Sequence, residues 1–149
     1  MDIRYRKATK EDFDSINALF IEMLRTIYKK DDVSGHEPGD LDYYFTGGEN
    51  WICVAESGAD IVGFLAIETH REDIEYLYYD DFSVSSAYRS HGIGAQLMQR
   101  AESYAKDIGI DKICLHVEKE NEGARRFYEK HGFAPLRDDG TRLLLGKQL

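Results

Sequence analysis

The sequence predicts a mixed α/β fold, a largely antiparallel sheet with one parallel βαβ crossover. Three observations predict it. Apolar residues recur at the helical period in three stretches, strand-like runs lie before, between and after them, and glycines punctuate the joins. The order is strand, helix, several strands, helix, strand, helix, two strands. With 149 residues and 42% hydrophobic content, residues 1–149 suit a single domain with a buried core.

Ile3 to Lys7 reads as the first strand, with Ile3 and Tyr5 on one face. Thr9 stands three residues before Asp12, a variant of the capping box that opens a helix. Phe13, Ile16, Leu19, Phe20, Met23, Leu24 and Ile27 then follow the helical period. Lys29 to Asp42 is a polar, acidic loop leading to a short helix through Tyr43, Tyr44 and Phe45, ended by Gly47 and Gly48. Strands follow at Trp51–Glu56 and Ile61–Glu68, joined by a turn at Gly58–Asp60. Ile74–Val84 is a long third run rich in Tyr and Phe. After a polar connector, Gly92 starts a helix with Ile93, Leu97, Ala101, Tyr104 and Ile108 along one face, and Gly109 closes it. Lys112–Val117 is a strand, and Asn121–His131 a helix with Ala124, Phe127, Tyr128 and His131 on one stripe. Phe133–Arg137 and Thr141–Lys147 form a terminal hairpin, with Asp138-Asp139-Gly140 as the predicted turn.

Composition narrows the function classes. No apolar run approaches the roughly 20 residues of a membrane-spanning helix. The amino terminus carries no apolar signal core, so the expected location is the cytoplasm, with no membrane partner. Cys53 and Cys114 lie in apolar strand runs and read as buried free thiols, and no metal-ligand spacing surrounds either. A net charge of −9, from 19 basic and 28 acidic residues, argues against nucleic acid as a partner and favours cationic ones.

Local chemistry departs from that acidity in one place. A strand ends at Phe82-Ser83-Val84, and a short loop leads to Arg89-Ser90-His91-Gly92-Ile93-Gly94-Ala95 at a helix start. Unpaired N–H groups and the helix dipole favour a phosphate there, and glycines admit it close to the backbone. A dinucleotide fold would place a third glycine where this chain has Leu97, and would need a second βαβ unit. The third helix carries Asn121-x-x-Ala124-x-x-Phe127-Tyr128-Glu129-Lys130-x-Gly132-Phe133.

Together with Arg89-x-x-Gly92-x-Gly94 and the Ile3-Arg4-x6-Glu11-Asp12 opening, this pattern resembles the GCN5-related N-acetyltransferase superfamily over nearly the whole chain. The resemblance implies a sheet splayed between the strands ending at Val84 and Val117, holding acetyl-CoA as co-substrate. The pyrophosphate would sit on the N–H groups of Arg89 to Gly94, the pantetheine arm would run along Phe82 to Val84, Asn121 would bond that arm, and Tyr128 would stand near the sulfur. Two residues depart from the family pattern. Ser86 stands at a usual proline, and Ser90 at a common glycine, where a positive φ would disfavour serine.

The implied reaction is attack of an amine on a thioester. A lysine-like ammonium of pKa about 10.4 leaves about one free amine in a few thousand at pH 7, so a base is needed. Asp80 and Asp81 end the long strand on opposite faces of a regular strand, Asp80 with Tyr76, Tyr78, Phe82 and Val84, and Asp81 with Leu77, Tyr79 and Ser83. A bulge would swap this facing. Asp80 is the first candidate base and Asp81 the second. Tyr128 is the candidate donor to the leaving thiolate. His91 is expected to assist the pyrophosphate, whereas His36, His70, His116 and His131 show no paired spacing and read as surface or core residues. Acids at Asp31, Asp32, Glu37, Asp40, Asp42, Glu68, Glu72, Asp73 and Glu75 frame the expected acceptor side, and Arg89, Arg100, Arg125, Arg126 and Lys130 the phosphate side. The expected acceptor is a small cationic amine or a basic peptide, and a homodimer accords with the family. A non-catalytic CoA-binding regulatory module of the same fold is the alternative, ahead of a dinucleotide-binding enzyme.

Overall fold

Short turns join the strand runs in the middle of the chain, so these strands pair antiparallel with their sequence neighbours. The structure, a computed structural model, describes residues 2–149. Its strands are β1 (Arg4–Lys7), β2 (Trp51–Ser57), β3 (Asp60–His70), β4 (Tyr76–Val84), β5 (Lys112–Glu118), β6 (Ala134–Asp139) and β7 (Arg142–Gln148). They form one seven-stranded sheet in the order β1-β2-β3-β4-β5-β7-β6. The helices are α1 (Phe13–Tyr28), α2 (Ile93–Asp107) and α3 (Glu122–Lys130). Among the described residues, only β4 and β5 pair parallel, with α2 as the crossover.

Helices lie on both faces of the sheet, which divides the core in two. Leu65, Ile67, Leu77, Tyr79, Ile113 and Leu115 pack with Leu97, Met98 and Ala101 of α2. Ile52, Val54, Phe64 and Ala66 pack with Ile16 and Leu19 of α1 and with Leu41 and Tyr44. This is why Trp51 to Ala55 is apolar without alternation: each face meets a covering layer. Each large aliphatic side chain buried here contributes about 1.5–3 kcal/mol.

The amino-terminal helix opens through a 3-10 turn at Lys10–Asp12. Asp12 accepts the Thr9 N–H at 2.9 Å and both terminal nitrogens of Arg6 at 2.8 and 2.9 Å. Gly109 and Gly132, just beyond α2 and α3, take φ of +79° and +93°, as helix stops require. The terminal hairpin differs from expectation. Asp139 pairs with Arg142, so Asp138 and Asp139 belong to β6, and Gly140-Thr141 makes the turn with Gly140 at φ +90°. Cys53 is buried as expected, but Cys114 is only half-buried.

Two irregularities in β4 set the shape of the sheet at its centre. Pairing with β5 spans only Leu77–Tyr79 against Ile113–Leu115, and beyond it the strands part. Against β3, Ile67 faces Tyr79 and Leu65 faces Phe82, so β4 carries one extra residue at Asp80-Asp81. The regular alternation expected of this strand is thereby broken. Tyr79, Phe82 and Val84 pack toward α2, while Asp80 and Asp81 both turn toward α1 and its following loop.

Candidate active site

Where β4 and β5 part, a cleft of about 910 Å³ opens. Its walls are the ends of these strands, the start of α2, the inner side of α3 and the second half of α1. Every predicted site residue except His91 lines it. His91 is exposed and points elsewhere, because Ser90 and Gly92, at φ +66° and +76°, turn the backbone on either side of it.

The start of α2 is a concentration of free donors. None of the backbone N–H groups of Arg89, Ser90, His91, Gly92, Ile93, Gly94 and Ala95 has a partner among the described residues. The next one, from Gln96, makes the first bond of the helix, to the Gly92 carbonyl. Gly94 permits the close approach of α3: a Cβ there would stand 3.2 Å from Phe127 and 3.5 Å from Phe82. Ser90 occupies a left-handed position that favours glycine, so the loop keeps its course at some strain.

On the α3 side, Asn121 caps the helix by accepting the Ala124 N–H at 3.1 Å. Its side-chain amide N–H groups have no partner among the described residues. Tyr128 packs among Phe82, Phe127 and Phe133, and its hydroxyl makes no hydrogen bond among the described residues. Burial drives this phenol well above its ordinary pKa, so it stays protonated and able to donate.

Carboxylates gather on the opposite, α1-facing side. Asp81 accepts from His36 Nε2 at 3.2 Å, and that imidazole stacks on Phe20 at 4.1 Å. Asp80 accepts from the Tyr44 hydroxyl at 2.9 Å, and Tyr44 lies 3.4 Å from Glu68, which also receives Tyr43 and His70. Burial and the neighbouring Asp80 push the Asp81 carboxyl up to about 6, and burial also raises Asp80. Beside them, Tyr78 donates its hydroxyl to His116 Nδ1, and His116 Nε2 donates to Asp139 at 2.8 Å.

Several expectations are corrected here. His36 and His116 are not isolated: each joins a carboxylate at the cleft. Arg100 stacks 5.0 Å over Tyr5 on the far side of α2, Arg125 bonds the Lys119 carbonyl, and Arg126 pairs with Glu122. Of the predicted basic group, only Arg89 and Lys130 line the cleft. Asp31, Asp32, Glu37, Asp40 and Asp42 are exposed and face solvent, so the acids lining the cleft are Asp80, Asp81 and Glu118. Sequence reasoning does not single out His116, Glu118 and Arg142 as site residues. A usable signal was present, since Cys114, His116 and Glu118 alternate with apolar Ile113, Leu115 and Val117.

The model of the acetyltransferase (GNAT) family matches residues 21–133, well over half the chain. The chain belongs to the GNAT acetyltransferase family. It is therefore an acyltransferase, and the dinucleotide alternative falls away, since the sheet of the described residues holds no second βαβ unit. An uncharacterized N-acetyltransferase of Archaeoglobus fulgidus is 29% identical over 133 residues, 83% of this chain and 87% of that protein. Mycothiol acetyltransferase of Corynebacterium glutamicum is 36% identical over 76 residues, 51% of this chain but only 25% of that longer protein. The fold matches the PaiA N-acetyltransferase of Thermoplasma acidophilum, solved with coenzyme A, at a TM-score of 0.83 and 19% identity over 100% of both chains.

Proposed function

We propose that the chain is an acetyl-CoA-dependent N-acetyltransferase that passes the acetyl group directly to a small primary amine bound in the same cleft. One observation carries this reading. A run of free N–H groups at Arg89–Ala95, the unpaired Tyr128 hydroxyl and the Asp80–Asp81 pair open onto a single cavity. The free N–H groups suit a pyrophosphate, and the β5-facing edge of β4 from Asp80 to Val84, which β5 leaves unpaired, suits an extended chain bonded as a strand would be. Acetyl-CoA would supply the thioester carbonyl that the amine attacks.

The residues divide the remaining work. The acid face draws an ammonium in. Asp81 takes its proton, since a carboxyl near 6 is ionised at neutral pH yet more basic than an ordinary aspartate. Asp80 is the poorer candidate because the Tyr44 hydroxyl holds it at 2.9 Å, a shorter contact than the 3.2 Å between Asp81 and His36 Nε2. Tyr128 gives a hydrogen bond to the departing sulfur, and its raised pKa favours this over full proton transfer. A second proton path rests on a separate observation, the Tyr78–His116–Asp139 chain. Tyr78 could receive the proton while passing its own to His116, with Asp139 holding the resulting imidazolium.

The test is CoA-thiol release from acetyl-CoA with a panel of amines. Tyr128→Phe should lower kcat by about a hundredfold and leave acetyl-CoA affinity within twofold. Unchanged turnover would remove Tyr128 from the reaction. Wild-type kcat/KM should fall below about pH 6. If that limb survives in Asp81→Asn and is lost in His116→Gln, the relay is the base. Acetyl-CoA binding without release from any amine would favour a regulatory module.

A further inference from the structure

Arg142 opens β7 with two carboxylates as cross-strand neighbours, Glu118 on β5 and Asp139 on β6. It forms an ion pair with neither among the described residues. Asp139 is already taken, by Arg137 at 2.7 and 3.1 Å and by His116 at 2.8 Å. Arg142 instead lines the cleft. The register fixes on which side it does so. Residues paired across a sheet share a face, and Arg142 pairs with Glu118 as Leu144 pairs with His116. Cys114, two residues before His116, pairs with Tyr78. Arg142 therefore stands on the face of Tyr78, His116 and Glu118, opposite to that of Leu115, Leu143 and Leu145 that packs toward α2.

A free guanidinium on this face conflicts with a polycationic acceptor, whose second ammonium it would repel. It fits a planar anion, which it can grip with two parallel hydrogen bonds. Arg89 and Lys130, the cleft's other cations, lie with α2 and α3. We propose that Arg142 is a specificity-determining residue that binds a carboxylate on the acceptor, so that the acceptor is a zwitterionic, amino-acid-like amine. Its ammonium lies at Asp80 and Asp81 and its carboxylate at Arg142. The half-buried Met23, Leu24 and Ile27 of α1 offer an apolar wall to the side chain between them. The inference rests on the transferase reading above and names the substrate class for it.

The experiment pairs free amino acids with their decarboxylated amines, lysine against cadaverine and leucine against isoamylamine, in the CoA-thiol release assay. Wild-type protein should favour the carboxylated member by about tenfold or more in kcat/KM. In Arg142→Ala the preference should vanish through a higher KM, with CoA affinity unchanged. Arg142→Lys should keep part of it, and Arg142→Glu should turn it toward cadaverine. Release from the decarboxylated amines alone, or a preference that survives Arg142→Ala, overturns the inference and leaves the transferase standing. No release from either set, in protein that binds acetyl-CoA, overturns both.

Discussion

Asp81 shows how one side chain can be costly to the fold and useful to the site. Its folded pKa of about 6 lies above the unfolded value near 3.9, so the native state holds an extra proton between roughly pH 4 and 6. Stability from this group is present at low pH and lost as pH rises through that window. Asp81→Asn should therefore stabilise the protein at pH 8 by on the order of 1–2 kcal/mol, with the difference vanishing below about pH 4. Urea denaturation at the two pH values would check it, and an equal effect at both would show that burial does not govern this carboxyl. Asp12 has the opposite sign, because the Arg6 guanidinium and the Thr9 N–H hold its pKa down; its contribution is present at neutral pH and is lost in acid. Ser90, at φ +66°, is a second strained point. Ser90→Gly should raise the urea midpoint by an amount worth roughly 0.5–1 kcal/mol and leave CoA affinity no weaker.

At the scale of elements, α1 is one helix with two roles. Ile16 and Leu19 are buried against β2 and β3, whereas Met23, Leu24 and Ile27 continue the same stripe past the sheet and line the cleft. Periodicity does not separate these halves, because an apolar wall and an apolar core ask for the same residues. Ile16→Ala should cost about 2–5 kcal/mol in chemical denaturation. Met23→Ala and Ile27→Ala should cost less than about 1 kcal/mol in the free protein and act instead on acceptor KM. Comparable losses at all three positions would mean that the second half is core as well. The bulge in β4 is the other decisive element. It sends Asp80 and Asp81 to one side while keeping Tyr79 and Phe82 on the other, and so separates acid chemistry from the apolar floor.

Across the whole molecule, charge is sorted rather than uniform. The chain carries −9 overall, yet the start of α2 presents unpaired N–H groups beside Arg89, and the acids of the cleft lie on the far side of the sheet. An anionic co-substrate would be held there by donors at short range, where the overall field matters little. Acetyl-CoA at a hundred times its Kd should stabilise the fold by about 2.7 kcal/mol, seen as a rise in Tm. No rise would mean that the folded protein does not bind acetyl-CoA. Raising salt should weaken acceptor KM before it touches acetyl-CoA affinity, since the exposed charges that steer an ammonium are the more easily screened.

Much of this was legible in the linear chain. Strand and helix order, the parallel crossover, the glycine stops after α2 and α3 and the free N–H groups of Arg89–Ala95 follow from periodicity, turn chemistry and backbone preference, which act between residues close in sequence. The Asn121–Phe133 pattern, paired with that loop, was enough to point to the family. Other features needed the folded chain. The bulge at Asp80-Asp81 arises from register against β3, the joining of His116 to Asp139 from the return of β6, and the freedom of Arg142 from Asp139 being already occupied. Each depends on which distant groups compete for the same partner, and only closure of the sheet brings those groups within hydrogen-bonding distance.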